Sequence, residues 1–216
     1  MSSTVHRLNV ARLCNEAVDD VLGSAEKALM MAAAAQKLAE LFDVLHIDHR
    51  NDHNMRDTPR RVAKMFVEEI LHGRYNAPPQ ITEFENVDRY DQLIVTGPIE
   101  VRSMCAHHLM PIFGQAFIGV LPSPEGKIIG LSKYDRIVSY FGARLQIQEE
   151  LVNQIGNFIH HEAARAGGED LRRAHVQDPP RRARELLEPD GQQRLLRRDA
   201  AQQRPEERVP AGVPRP

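Results

Sequence analysis

Cysteine is scarce. The chain has two, Cys14 and Cys105, in 216 residues. That excludes a disulfide framework and fits a reducing compartment, where a thiol near histidines suggests a metal or catalysis. No apolar run is long enough to span a bilayer, so no membrane partner is expected. The opening stretch "MSSTVHRLNV" lacks the basic-then-apolar order of a signal peptide, and a cytoplasmic protein is the expectation. Neither sign of charge dominates. A formal net charge of −2 removes the global electrostatic case for nucleic acid or an anionic membrane. The length suits one ordinary domain, or one domain with an appended segment, and is enough to bury a core.

What is present falls into three regions. Residues 1–76 read as helical. "SAEKALMMAAAAQKLAELFDVL" is rich in good helix formers. "DTPRRVAKMFVEEILHG" carries helix punctuation: Thr58 as a cap, Pro59 at the first helical position, Gly73 after the last turn. Val62, Met65, Phe66 and Ile70 make one apolar face, the mark of an amphipathic scaffold helix. From residue 77 the period changes. "QLIVTGPIEVRS", "GQAFIGVLP" and "GKIIGLS" are short β-branched runs, and "PSPEG" at 122–126 reads as a hairpin turn. From Ser132 the helical period returns, with Leu151, Val152, Ile155, Phe158 and Ile159 as a stripe. Residues 77–162 are therefore expected to form an α+β unit, an antiparallel sheet with helices packed on one face. Residues 163–216 contain no aromatic residue, isoleucine or lysine, yet hold half of the 14 prolines. Such a stretch offers too little apolar surface to offset its chain entropy and is expected to be disordered.

Three clusters carry possible chemistry. Cys105 and His108 have C-x-x-H spacing, short enough for both to reach one zinc ion from a single loop. His107 between them would then be free to move protons nearby. The alternative is a small buried thiol beside polar loop residues. Ser132, Lys133 and Arg136 open a helix. A helix N-terminus binds anions through its free N–H groups, and two cations three residues apart share a face, so this reads as a polyphosphate cradle or an ordinary capped helix. Gln148 and Glu149 start the next helix. A carboxylate there can accept two hydrogen bonds from a guanine edge, or simply be solvated.

Together these residues resemble the GTP cyclohydrolase I family. The resemblance is carried by "DTPRRVAKMF" (57–66), "SMCAHHLMPIFG" (103–114), "GLSKYDRIV" (130–138) and "RLQIQEELVNQI" (144–155), and covers roughly residues 25–160. It implies the tunnelling fold, with N-terminal helices ahead of the sheet. It also implies assembly through the sheets into a homo-oligomeric ring, typically a decamer, with active sites between subunits. The implied reaction opens the imidazole ring of GTP with the help of Zn2+, giving 7,8-dihydroneopterin triphosphate and formate. By resemblance Cys105 and His108 are zinc ligands and His107 is a catalytic histidine. Ser132, Lys133 and Arg136 bind the triphosphate, and Gln148 and Glu149 read guanine. The family commonly has Glu where this chain has Ala106.

The same resemblance calls for a later strand with H-x-C, supplying a second histidine and the third zinc ligand, and then R-G. No cysteine follows Cys105. Read one base later, the codon junctions of Ala174/His175 and Val176/Gln177 permit His and Cys. Those of Pro180/Arg181 and Arg181/Arg182 permit Arg and Gly. The shifted frame can spell H-T-C-K-T-H-R-G. Residues after about 162 are therefore read as a frameshift product, with the last strands of the sheet missing and activity of the chain as written in question. Two other functions stay open: another tunnelling-fold enzyme acting on a pterin or deazapurine, and a non-catalytic GTP-binding or regulatory homologue.

Overall fold

The computed structural model describes residues 13–18, 20–165 and 174–177. All of them belong to one compact unit that ends at Asp178. The expected polar tail lies outside the described residues, apart from 174–177.

The N-terminal part is helical. Helix α1 (Ser24–Val44) starts where the Glu26 carboxylate accepts a hydrogen bond from the Gly23 N–H at 2.8 Å. It buries none of its residues, and Leu29, Leu41 and Val44 stay exposed. The second expected helix divides into α2 (Thr58–Lys64), a π-helical turn (Met65–Ile70) and α3 (His72–Tyr75). Asp57, not Thr58, is the residue before the first turn, and Pro59 lies within that turn. Gly73 does not end a helix as the sequence suggests. It sits inside α3, where a Cβ would lie 1.7 Å from the Tyr140 carbonyl oxygen. The two backbones touch there, and only glycine fits.

The α+β expectation holds, with two sheets rather than one. Strands β2 (Ile94–Cys105) and β3 (Pro111–Val120) form a long antiparallel ribbon whose register runs from Ile94↔Val120 to Met104↔Pro111. The two-residue strand β5 (Leu145–Gln146) adds in parallel to the far end of β2, and β6 (Ala174–Gln177) adds antiparallel to β3. The four-stranded order is β5-β2-β3-β6. A separate pair joins β1 (Glu83–Glu85) to β4 (Lys127–Ile129). The "PSPEG" turn does form, with the Gly126 N–H bonded to the Ser123 carbonyl at 3.1 Å. It does not close a β3–β4 hairpin, because β4 pairs with β1 instead. The expectation of missing C-terminal strands meets one short strand, β6, whose backbone pairs with residues 117–120.

Helices α4 (Ser132–Gly142) and α5 (Gln148–Arg165) lie on one face of the ribbon. Ile99, Ala116 and Ile118 from the sheet pack against Ile137, Val138 and Phe141 of α4 and Leu151, Ile155 and Ile159 of α5. The apolar stripe read from the sequence is thus the core face of α5. The Phe141 ring stands edge-on to Tyr140 and Phe158 at centroid distances of 5.1 and 5.3 Å. Such contacts are more favourable than area alone implies.

Candidate functional site

The ribbon turns between β2 and β3 through residues 106–110. The Cys105 N–H donates to the Met110 carbonyl at 2.8 Å, and the Leu109 N–H donates to the Cys105 carbonyl at 2.9 Å. Leu109 adopts a left-handed φ of 54° to close the turn. The half-buried Cys105 thiol reaches His107 Nδ1 at 3.6 Å. The neighbouring His108 ring lies 6.3 Å from that of His107, centroid to centroid, and both rings are exposed. His107 is thus the histidine in contact with the thiol, and His108, the ligand expected from the sequence, lies next to it.

Strand β5 ties this loop to the start of α5. Cys105 stands in register with Gln146, and the Ala106 N–H donates to the Gln146 carbonyl at 3.0 Å. Two residues beyond, Gln148 and Glu149 form the exposed first turn of α5. The loop and the Gln–Glu pair are thus neighbours because a two-residue parallel strand carries the chain from one to the other.

The third cluster sits elsewhere. Ser132 is the first residue of α4, with Leu131 at the N-cap, so it is not the N-cap the sequence suggests. Ser132 and Arg136 are exposed and Lys133 half-buried. The start of α4 flanks an apolar pocket of ≈ 410 Å³, which Ile94, Val120, Leu131 and Tyr134 help to line. Ile94 and Val120 mark the end of the ribbon opposite Cys105. The other end of α4 meets the ribbon near the loop: a Cβ on Gly142 would lie 2.9 Å from the Arg102 carbonyl. The two halves of the candidate site thus lie toward opposite ends of the ribbon within one copy. Tyr134, beside Lys133, is buried, and that burial pushes its phenol up to about 12.

The sequence reading missed a buried polar cluster behind the loop. Arg144 is 5% exposed. It donates to the Gly73 carbonyl at 3.0 Å and the Asn15 carbonyl at 2.9 Å, with its guanidinium 4.7 Å from the centres of the Tyr140 and Phe141 rings. Burial lowers its pKa from the ordinary arginine value. Gln146 is fully buried. The only signal available was its position, between Leu145 and Ile147 in an otherwise alternating run, and that pattern reads as an exposed residue.

A catalytic zinc site needs three protein ligands and an open position. Among the described residues no group of three or more His, Cys, Asp or Glu is gathered to hold a metal. Among the described residues Cys105 and His108 have no third ligand gathered beside them, and the sequence has no cysteine after Cys105. Among the described residues no helix is long and apolar enough to cross a membrane.

A profile of the GTP cyclohydrolase I family matches residues 34–168. The GTP cyclohydrolase 1 of Erwinia tasmaniensis is 34% identical over 155 residues, a span of 71% of this chain and 69% of that protein. The GTP cyclohydrolase 1 of Shewanella denitrificans is 42% identical over 119 residues, 55% of this chain and 54% of that protein. That of Flavobacterium johnsoniae is 46% identical over 105 residues, 48% of this chain and 46% of that protein. The matched span is about half the length of these last two relatives. The chain belongs to the GTP cyclohydrolase I family.

Proposed function

We propose that this protein acts on GTP as a GTP cyclohydrolase I. The reaction is hydrolytic opening of the guanine imidazole ring, giving 7,8-dihydroneopterin triphosphate and formate, the first step of tetrahydrofolate and pterin synthesis in the cytoplasm. The observation that carries the reading is the adjacency of the Cys105–His108 loop to Gln148 and Glu149 through β5. Glu149 and Gln148 recognise the guanine edge, since an ionised carboxylate accepts from two N–H donors of the base at once. Ser132, Lys133 and Arg136 hold the triphosphate at the start of α4, where the hydroxyl and two cations favour an anion. His107, beside the thiol, is the proton carrier at the opening ring.

The two halves lie toward opposite ends of the ribbon within one copy. A homo-oligomer, with the loop end of one subunit meeting the α4 end of the next, is the arrangement we propose, and repetition of such a head-to-tail contact closes a ring. Cys105 and His108 are the two zinc ligands we assign to this family's metal. The third falls in the shifted frame. Support comes from the family match, which stops at residue 168, close to where the composition changes.

A second reading is a GTP-binding homologue without turnover. It is favoured by the missing third ligand among the described residues. One experiment separates the two. The full chain, and the same chain with its reading frame corrected by one base after codon 162, are purified and incubated with GTP. Formate is measured, together with zinc per subunit. We expect the chain as written to bind GTP, carry substoichiometric zinc and release no formate, and the corrected chain to carry one zinc and turn over. Stoichiometric zinc with formate release from the chain as written removes the second reading. A chain that binds no GTP removes both.

A further inference from the structure

Gln146 is the residue through which three elements meet. Its backbone carbonyl accepts from the Ala106 N–H in the Cys105 loop. Its side-chain Nε2 donates to the Phe141 carbonyl at the end of α4, at 2.7 Å, and to Gln154 Oε1 on α5, at 3.0 Å. Gln154 in turn donates from Nε2 to the Asn15 carbonyl at 3.1 Å, which Arg144 also engages. A backbone carbonyl can only accept, so the amide nitrogens of Gln146 and Gln154 are fixed in place by Phe141 and Asn15. Both amides therefore have one orientation.

The position is also costly. Gln146 is 0% exposed, and its Oε1 finds no hydrogen-bond partner among the described residues. A buried acceptor without a donor costs stability, a cost set against the two hydrogen bonds that Nε2 donates. Gln146 also lines a cavity of ≈ 50 Å³ together with Val101, Ala116, Gln148, Leu151 and Ile155, so the same small space touches a proposed guanine reader.

We propose that Gln146 is a positioning residue for guanine recognition. It holds the first turn of α5, with Gln148 and Glu149, at a fixed distance and angle from the Cys105–His108 loop. It makes no contact with the triphosphate group, which lies at the other end of the ribbon. This rests on the reading of the protein as a GTP-binding member of its family.

The test compares two ligands on the assembled full-length protein by calorimetry: GTP, which engages both halves of the site, and inorganic tripolyphosphate, which engages only the Ser132–Arg136 half. In the unaltered chain GTP binds more tightly. In Gln146→Leu we expect GTP affinity to fall about tenfold, the loss of roughly one well-placed hydrogen bond, with tripolyphosphate affinity unchanged within about twofold. Where Gln146→Leu does not fold, Gln154→Leu removes one partner of the same amide and is read in the same way. Equal losses for both ligands, or no loss for either, overturn the proposal and leave Gln146 a purely structural residue. An unaltered chain that binds GTP no better than tripolyphosphate overturns the guanine reading itself, a distinct result.

Discussion

Replacing Gly73 with alanine sets two effects against each other. Alanine is the better helix former by about 1 kcal/mol, so in an isolated helix the change would stabilise. In this protein the added carbon would lie 1.7 Å from the Tyr140 carbonyl oxygen, 2.9 Å from its carbon and 3.2 Å from the Ala143 oxygen. All three are backbone atoms and cannot swing aside. Helix α3 must then move off α4. That movement strains the Gly73 N–H to Ala143 carbonyl bond at 2.9 Å and the Arg144 to Gly73 carbonyl bond at 3.0 Å. Overpacking costs about 1–3 kcal/mol, and two weakened hydrogen bonds about 1 kcal/mol each. After subtracting the propensity gain, Gly73→Ala should destabilise by roughly 2–4 kcal/mol. Urea unfolding of both proteins at one fixed concentration measures this as a lower midpoint at unchanged slope. A variant as stable as the parent, or more so, would refute the close approach of α3 to α4.

Two further outcomes follow from the core. Tyr134 keeps its proton longer folded than unfolded, so its contribution is complete below about pH 10 and is lost as pH rises through about 12. Absorbance of the ionised phenol should show Tyr134 titrating near 12 while burial also raises Tyr75, and Tyr134→Phe should remove the step near 12. Truncating Ile155, which is 1% exposed between α5 and the sheet, to alanine should cost about 2–5 kcal/mol, seen as a lower thermal or urea midpoint.

The sequence carried more of the site than of the layers around it. The stripe of α5 was legible because a helix buried on one face must repeat its apolar residues with the helical period. The Cys–His–His loop and the Gln–Glu pair were legible as local clusters, and their adjacency was not. It depends on β5, two residues long, which carries no periodic signal. The partner of β4 was hidden for a related reason. A three-residue strand fixes no pairing, and the turn before it suits a hairpin as well as the crossing to β1 that forms. Gly73 reads as a helix stop because glycine commonly ends helices, while its cause here is the Tyr140 backbone, distant in sequence, that comes to rest against it. Gln146 was hidden by polarity, since an alternating pattern assigns a glutamine to solvent. The break into a π-helical turn at Met65–Ile70 leaves no mark in composition.

The opposite placement of the two clusters along one ribbon has a genetic consequence. If each site takes its loop from one subunit and its phosphate cradle from the next, damage to one copy is not confined to that copy's own site. A subunit altered at Cys105 still offers an intact Ser132–Arg136 face to its neighbour, and one altered at Lys133 still offers an intact loop. Coassembled in one ring, two defective alleles of these opposite kinds would rebuild some whole sites, whereas two lesions at the same end of the ribbon would rebuild none.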